Sequence, residues 1–159
     1  PHPPMSARRQ RQMCIRGSNC PGQIVISGTI NAVNIACNKL TELGARRALV
    51  LPVRGAFHSP LMKSAEESLS KAINNIQFKE GTCPIYQNIT GMPYTDIEEI
   101  KQNLVNQLTS SVKWTQTMEN MKLNGLASVT EVGPGKVLQG LFKRISRDLE
   151  TKSLHQLIV

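Results

Sequence analysis

Of the three histidines in the chain, His58 alone falls at a place suited to a reactive group, because His2 and His155 lie in the polar ends. It occupies Arg54-Gly-Ala-Phe-His-Ser-Pro60, a glycine-containing segment after an apolar β-branched run and before a helix that Pro60 would open. In α/β proteins ligands collect beyond the carboxyl ends of parallel strands, so a titratable imidazole here suits general acid or base work. A helix-capping or structurally bonded histidine fits the same place. A catalytic base also needs a nucleophile, and no Gly-x-Ser-x-Gly elbow occurs anywhere in the sequence. Ser27 and Ser59 have the wrong neighbours for one. Either His58 is not a base, or its serine lies on residues that this chain lacks.

The second chemical candidate is Gly133-Pro134-Gly135-Lys136, which turns the chain into a helix. Backbone N–H groups at a helix start, with a lysine beside them, can cradle a phosphate. The spacing departs from Gly-x4-Gly-Lys-Ser/Thr, and a structural strand-to-helix turn is the expectation. Cys14, Cys20, Cys37 and Cys83 are spaced 6, 17 and 46 apart, with no Cys-x-x-Cys pair. That is too sparse for a disulfide scaffold and wrongly spaced for zinc, so buried or incidental thiols are expected and no metal.

The elements that position these groups follow from the hydrophobic pattern. Gln23–Ser27 reads as a strand broken by Gly28. Val33, Ala36, Cys37 and Leu40 make one helix face over Asn31–Leu43, with Asn31 or Thr29 as cap and Gly44 beyond its end. Ala48–Val53 reads as a continuous buried strand. Ser59 caps a helix from Pro60 to Ile73, Cys83–Ile89 forms a strand, and Asp96 or Thr95 starts a helix over Ile97–Leu108. A helix over Trp114–Leu123 ends at Gly125, a strand covers Ala127–Val132, and Val137, Leu138, Leu141 and Ile145 line the last helix. Trp114, Met118 and Met121 read as ordinary helix packing. Strands alternating with helices imply an α/β fold with parallel strands.

At 159 residues the chain holds one ordinary domain, or one small domain plus a piece of another. Its 40% hydrophobic and 19% charged residues argue against wholesale disorder, and no apolar run approaches the ~20 residues of a transmembrane helix. The net charge of +8 divides unevenly: Arg8, Arg9, Arg11 and Arg16 supply half of it from the first 17 residues, which hold no acid. The rest is dispersed, with three Phe, two Tyr and one Trp, which is poor material for a nucleic-acid surface of stacking aromatics. A mild basic bias suits an acidic partner or an anionic substrate. The Pro-rich and then Arg-rich opening lacks apolar periodicity and reads as a disordered or foreign leader.

Taken together, Asn19-Cys-Pro-Gly-Gln-Ile-Val-Ile-Ser-Gly28, Gly44-Ala-Arg-Arg-Ala-Leu, Leu51-Pro-Val and Gly55-Ala-Phe-His-Ser-Pro-Leu-Met62 closely resemble the malonyl-CoA:acyl carrier protein transacylase family of bacterial type II fatty acid synthesis. Pro84-Ile-Tyr-Gln-Asn88, Gln107-Leu-Thr, Val112-Lys-Trp-Thr-Gln116 and Glu131-Val-Gly-Pro-Gly-Lys-Val-Leu-Gln-Gly-Leu141 continue the resemblance in order, over about residues 19–147. The resemblance covers the C-terminal half only. It implies part of a hydrolase-like parallel-sheet subdomain plus most of a small ferredoxin-like subdomain. Residues 1–18 would be the leader, 19–53 the incomplete ferredoxin-like part, 54–147 the C-terminal part of the large subdomain and 148–159 a tail.

In that family a serine takes malonyl from coenzyme A and passes it to the phosphopantetheine thiol of acyl carrier protein. The resemblance makes His58 the general base and acid, and Gln107 the source of a backbone carbonyl that holds the other imidazole nitrogen. Phe57 matches the position that narrows the pocket toward malonyl over methylmalonyl, and Asn19 a polar residue lining the cleft. Gly17 stands where the family usually carries an asparagine, so the match is expected to begin near Ser18. Malonyl-CoA is then substrate with no permanently bound cofactor, the partners are acyl carrier protein and a coenzyme A thioester rather than nucleic acid or membrane, and the location is cytoplasmic. The family's serine elbow, its carboxylate-binding arginine and its oxyanion-region glutamine have no counterpart here, and Arg54 does not match that arginine. The chain is therefore expected to be inactive alone, with a non-catalytic carrier-protein-binding remnant as the alternative. Strand edges left without neighbours would make the isolated product poorly soluble or partly molten.

Overall fold

The computed structural model describes residues 13–53 and 55–154. Among the described residues six short strands and five helices are interspersed, an α/β composition. The first two strands, β1 (Met13–Cys20) and β2 (Gln23–Gly28), form an antiparallel hairpin. Its two-residue connection is Pro21-Gly22, with Gly22 at φ +79°, the residue order of a type II turn. Residues 13–18, which the sequence reading assigns to the leader, are therefore the larger part of a paired strand. The pairing register slips at Arg16 and at Asn19, each an extra residue opposite β2, so β1 is bulged twice. Gly17 between them bridges to Val112, and a Cβ there would come within 2.6 Å of the Val112 carbonyl oxygen. The glycine that departs from the family pattern is thus what the close backbone approach demands.

Helix α1 (Ile30–Glu42) is capped by Thr29, whose hydroxyl accepts from the Ala32 N–H at 3.4 Å. It ends in a Schellman motif: Gly44, at φ +84°, donates to Thr41 and Ala45 donates to Leu40. The expected strand over Ala48–Val53 is not formed. Leu49, Val50, Leu51 and Val53 are 62, 62, 52 and 60% exposed, and no strand among the described residues pairs with them. A β-branched apolar run becomes a strand only when another edge takes up its N–H and C=O groups.

After a 3-10 turn at Pro60–Met62 comes α2 (Lys63–Asn74), then the short antiparallel pair β3 (Ile85–Tyr86) and β4 (Pro93–Tyr94). The strand expected over Cys83–Ile89 is thereby cut to two residues. Helix α3 (Ile97–Asn106) starts at Asp96, whose carboxylate accepts from the Glu99 N–H at 2.8 Å, and packs against α2. Ile73 of α2 and Ile100 of α3 are buried. Helix α4 (Trp114–Leu123) leads to β5 (Ser128–Glu131), α5 (Val137–Ile145) and β6 (Glu150–Ser153). β5 and β6 are the parallel pair of the fold, Val129 opposite Thr151. β6 falls in the stretch that the sequence reading leaves as a tail.

The hairpin sits on α4 and α5, where Cys20, Met118 and Phe142 are buried and Phe142 is 2% exposed. Arg144 of α5 reaches back to Gln23 Oε1 at 3.2 Å. No helix among the described residues is long and apolar enough to cross a membrane.

Candidate active site

His58 precedes the turn that opens α2 and is the one non-glycine among the described residues with a positive φ, +59°. The left-handed conformation is uncommon outside glycine and is held where surrounding contacts over-determine it. Those contacts are visible on each side. Ser27 at the end of β2 donates its hydroxyl to the Phe57 carbonyl at 3.2 Å. Ser59, buried, accepts from the Leu61 N–H at 3.1 Å and so caps the 3-10 turn that Pro60 begins. The helix start is satisfied by serine, and the imidazole remains available for another partner.

That partner is the main-chain carbonyl of Gln107, 2.8 Å from His58 Nδ1. Gln107 is the residue at which α3 ends. The last four carbonyls of a helix have no partner within it, so one is free to meet the ring. A carbonyl only accepts, which requires the proton on Nδ1 and leaves the lone pair on Nε2. A half-buried histidine with one nitrogen tied back and the other basic has the arrangement of a general base. The Gln107 side chain is not required for it.

Phe57, 47% exposed, folds its ring toward Gly55, where an added Cβ would lie 2.9 Å from Cε2. The backbone of Asn19 is the second bulge of β1, while its side chain lies outside the described residues, as does Arg54. A cavity of about 300 Å³ is lined by Cys83, Ile85, Gln87, Asn88, Leu104 and Gln107 among others. His58 does not line it. The candidate site is the imidazole, and the cavity shares Gln107 with it.

Two polar residues near the site have no role assigned from sequence, although Gln87 lies in the Pro84–Asn88 segment. Glu66, on α2, is buried, with Lys63 Nζ on one carboxylate oxygen and the Thr109 hydroxyl on the other. These hydrogen bonds, Lys63 first and Thr109 next, hold its carboxyl below the ordinary value of 4.5. Gln87, also buried, donates to the Ile100 carbonyl at 3.0 Å and accepts from Asn103 at 2.9 Å, tying β3 to α3. In sequence Glu66 looks like half of an exposed i,i+3 pair with Lys63, and only the tertiary position of Thr109 reveals the other half.

The Gly133–Lys136 turn is structural. Glu131, at the end of β5, directs Oε1 to the Leu138 N–H at 3.0 Å and Oε2 to the Gln139 N–H at 3.1 Å. The anion-accepting end of α5 is occupied by the protein's own carboxylate, which would repel a phosphate. Among the described residues no group of His, Cys, Asp and Glu is arranged to hold a metal ion.

Known proteins resemble this chain in sequence and fold. The malonyl CoA-acyl carrier protein transacylase of Bacillus subtilis is 41% identical over 133 residues, 84% of this chain and 42% of that protein. The structure of an acyl-carrier-protein-S-malonyltransferase from Bartonella henselae superposes with a TM-score of 0.85 at 38% identity, covering 89% of this chain and 45% of that one. A type II polyketide acyl-carrier protein in complex with its malonyl-transacylase matches at a TM-score of 0.87 and 36% identity, over 93% of this chain and 48% of that one. No family model matches. The chain thus spans less than half the length of the curated relative it matches.

Proposed function

We propose that this chain, homologous to the C-terminal half of the malonyl-CoA:acyl carrier protein transacylases, is the base-bearing half of such an enzyme. The observation that carries the reading is the 2.8 Å contact of His58 Nδ1 with the Gln107 carbonyl, made by a histidine in a left-handed conformation. With Nδ1 committed, Nε2 accepts the proton of a serine hydroxyl on the other half as that oxygen attacks the malonyl thioester. The imidazolium returns the proton to the departing coenzyme A sulfur. In the second half-reaction Nε2 takes the proton of the carrier's phosphopantetheine thiol, whose sulfur attacks the malonyl ester, and then reprotonates the serine. Each proton removed is restored, so no cofactor is consumed.

Phe57, beside His58, is placed to crowd an α-methyl group and so to favour malonyl over methylmalonyl. Asn19 would line the cleft from the bulge in β1. The dispersed basic residues suit an acidic carrier protein, and the reaction belongs to the cytoplasm. Residues 19–53 and 54–147 would contribute to the smaller and larger subdomains respectively.

The test supplies the other half. The first half of the Bacillus subtilis relative is co-expressed with this chain, and malonyl transfer from malonyl-CoA to phosphopantetheinylated carrier protein is measured. Turnover by the pair and none by either part supports the reading. Carrier binding without turnover by the pair would instead favour the non-catalytic remnant.

A further inference from the structure

The His58–Gln107 contact is one of two stitches between the same pair of segments. His58 and Glu66 both belong to the opening of α2, and Gln107 and Thr109 both belong to the turn that follows α3. The first stitch joins residues 49 apart in sequence and the second, Glu66 to Thr109, residues 43 apart. The turn they hold has no glycine to stop the helix: it runs Asn106-Gln-Leu-Thr-Ser110. Its backbone bonds are long, with Leu108 to Val105 at 3.4 Å and Thr109 to Asn106 at 3.3 Å. The Gln107 N–H is held by the Asn103 carbonyl at 3.0 Å, but beyond it the turn's own backbone bonds are weak, so a side-chain tether at Thr109 bears on the direction of the Gln107 carbonyl.

Burying a carboxylate is costly unless it is paired and hydrogen-bonded. A partner such as Lys63, 65% exposed, does not need Glu66 to be buried. What burial achieves is access to Thr109. The Thr109 hydroxyl also lies 3.4 Å from the Asn106 carbonyl, but it has one proton, and the charged, closer acceptor takes it.

We propose that Glu66 is a positioning residue for the base: through the Thr109 hydroxyl it fixes the turn after α3, and with it the Gln107 carbonyl that keeps the His58 proton on Nδ1. The inference rests on the reading of His58 as the base, and the experiment separates the two. The imidazole nitrogens of His58 are observed by long-range ¹H–¹⁵N correlation in the pair formed by this chain and the first half of the relative. Wild type is compared with Glu66→Ala, Thr109→Val and Thr109→Ser. A wild-type ring without the proton on Nδ1 sinks the reading of His58 itself. With that proton in place, Thr109→Val, which keeps size and loses the hydroxyl, should give a mixture of tautomers, as should Glu66→Ala, whereas Thr109→Ser should restore the wild-type signal. The kcat of the Val variant should fall about ten- to a hundredfold, the scale of a misplaced catalytic group, with KM for malonyl-CoA unchanged. If Glu66→Ala does not fold, the valine and serine variants decide. An unchanged tautomer in Thr109→Val, or a change shared equally by the serine variant, overturns the proposal.

Discussion

Two glycine-bearing turns lead into helices, residues 55–59 before α2 and residues 133–136 before α5, and they differ in what fills the helix start. Before α5, Glu131 accepts through its two carboxylate oxygens from the Leu138 and Gln139 N–H groups, at 3.0 and 3.1 Å. The turn's chemistry is thereby used up in holding the fold, and Lys136 is left beside an end that has no need of an anion. Before α2, the small hydroxyl of Ser59 does the capping, and the adjacent histidine is turned out in a left-handed conformation toward a carbonyl at the end of another helix. At the α5 turn the protein's own carboxylate meets the helix start, whereas at the α2 turn a serine does and the imidazole is left for another contact.

The sharpest way to break this contrast is to remove the reactive group from each turn. In the enzyme assembled with a first half, His58→Ala should lower malonyl transfer about 10²- to 10⁴-fold, the range for loss of a general acid–base group, and Lys136→Ala should leave it unchanged. Steady-state rates at saturating malonyl-CoA read both. A loss for Lys136→Ala would return the phosphate cradle to consideration.

Specificity offers a smaller effect on the same loop. Phe57→Ala should raise the ratio of methylmalonyl to malonyl transfer about 10- to 200-fold, the scale of one methyl group in an apolar pocket. Competition between the two thioesters, resolved by the mass of the loaded carrier protein, gives the ratio. An unchanged ratio would remove Phe57 from the pocket.

At the other turn the expected effect is on stability. Glu131→Ala leaves two N–H groups of α5 without acceptors and should cost about 1 kcal/mol in urea denaturation, as other lost N-caps do. Glu131→Gln should cost less, because an amide oxygen still accepts. Neither should change the tautomer of His58.

The smallest effect is the pH dependence of the Glu66 stitch. Its carboxyl is held below 4.5 in the folded chain, by Lys63 first and Thr109 next. The unfolded state therefore binds the proton at a higher pH than the folded state does. The stabilisation is complete above the unfolded value and is lost as pH falls from there through the lower folded value. Glu66→Gln should flatten this part of a stability profile between pH 6 and the acid limit, whereas Glu131→Gln provides the comparison at the other turn. Identical profiles for wild type and Glu66→Gln would contradict the assignment.

Where local chemistry decides, the fold was legible in sequence. Thr29 and Gly44 bound α1, Ser59 and Pro60 open the segment leading into α2, and Asp96 caps α3, each through residues that act on their own neighbours. Where a distant partner decides, it was not. Ala48–Val53 has the composition of a buried strand and finds no edge to join among the described residues, while Glu150–Ser153, wholly polar, becomes a strand because β5 runs beside it. Pro21-Gly22 carried the signal for the hairpin, yet the polar half of β1 hid its strand. The site divides in the same way. His58 stood out by its loop and Gln107 by resemblance, but Glu66 and Thr109 are joined only by the approach of α2 to the end of α3.

The most direct measurement of the central claim is the intact mass of the separately supplied first half after brief mixing with malonyl-CoA and this chain. If the chain provides the base, that first half gains one malonyl group with the wild-type chain and almost none with the His58→Ala variant. Equal loading with both variants, or with the chain left out, would contradict the account.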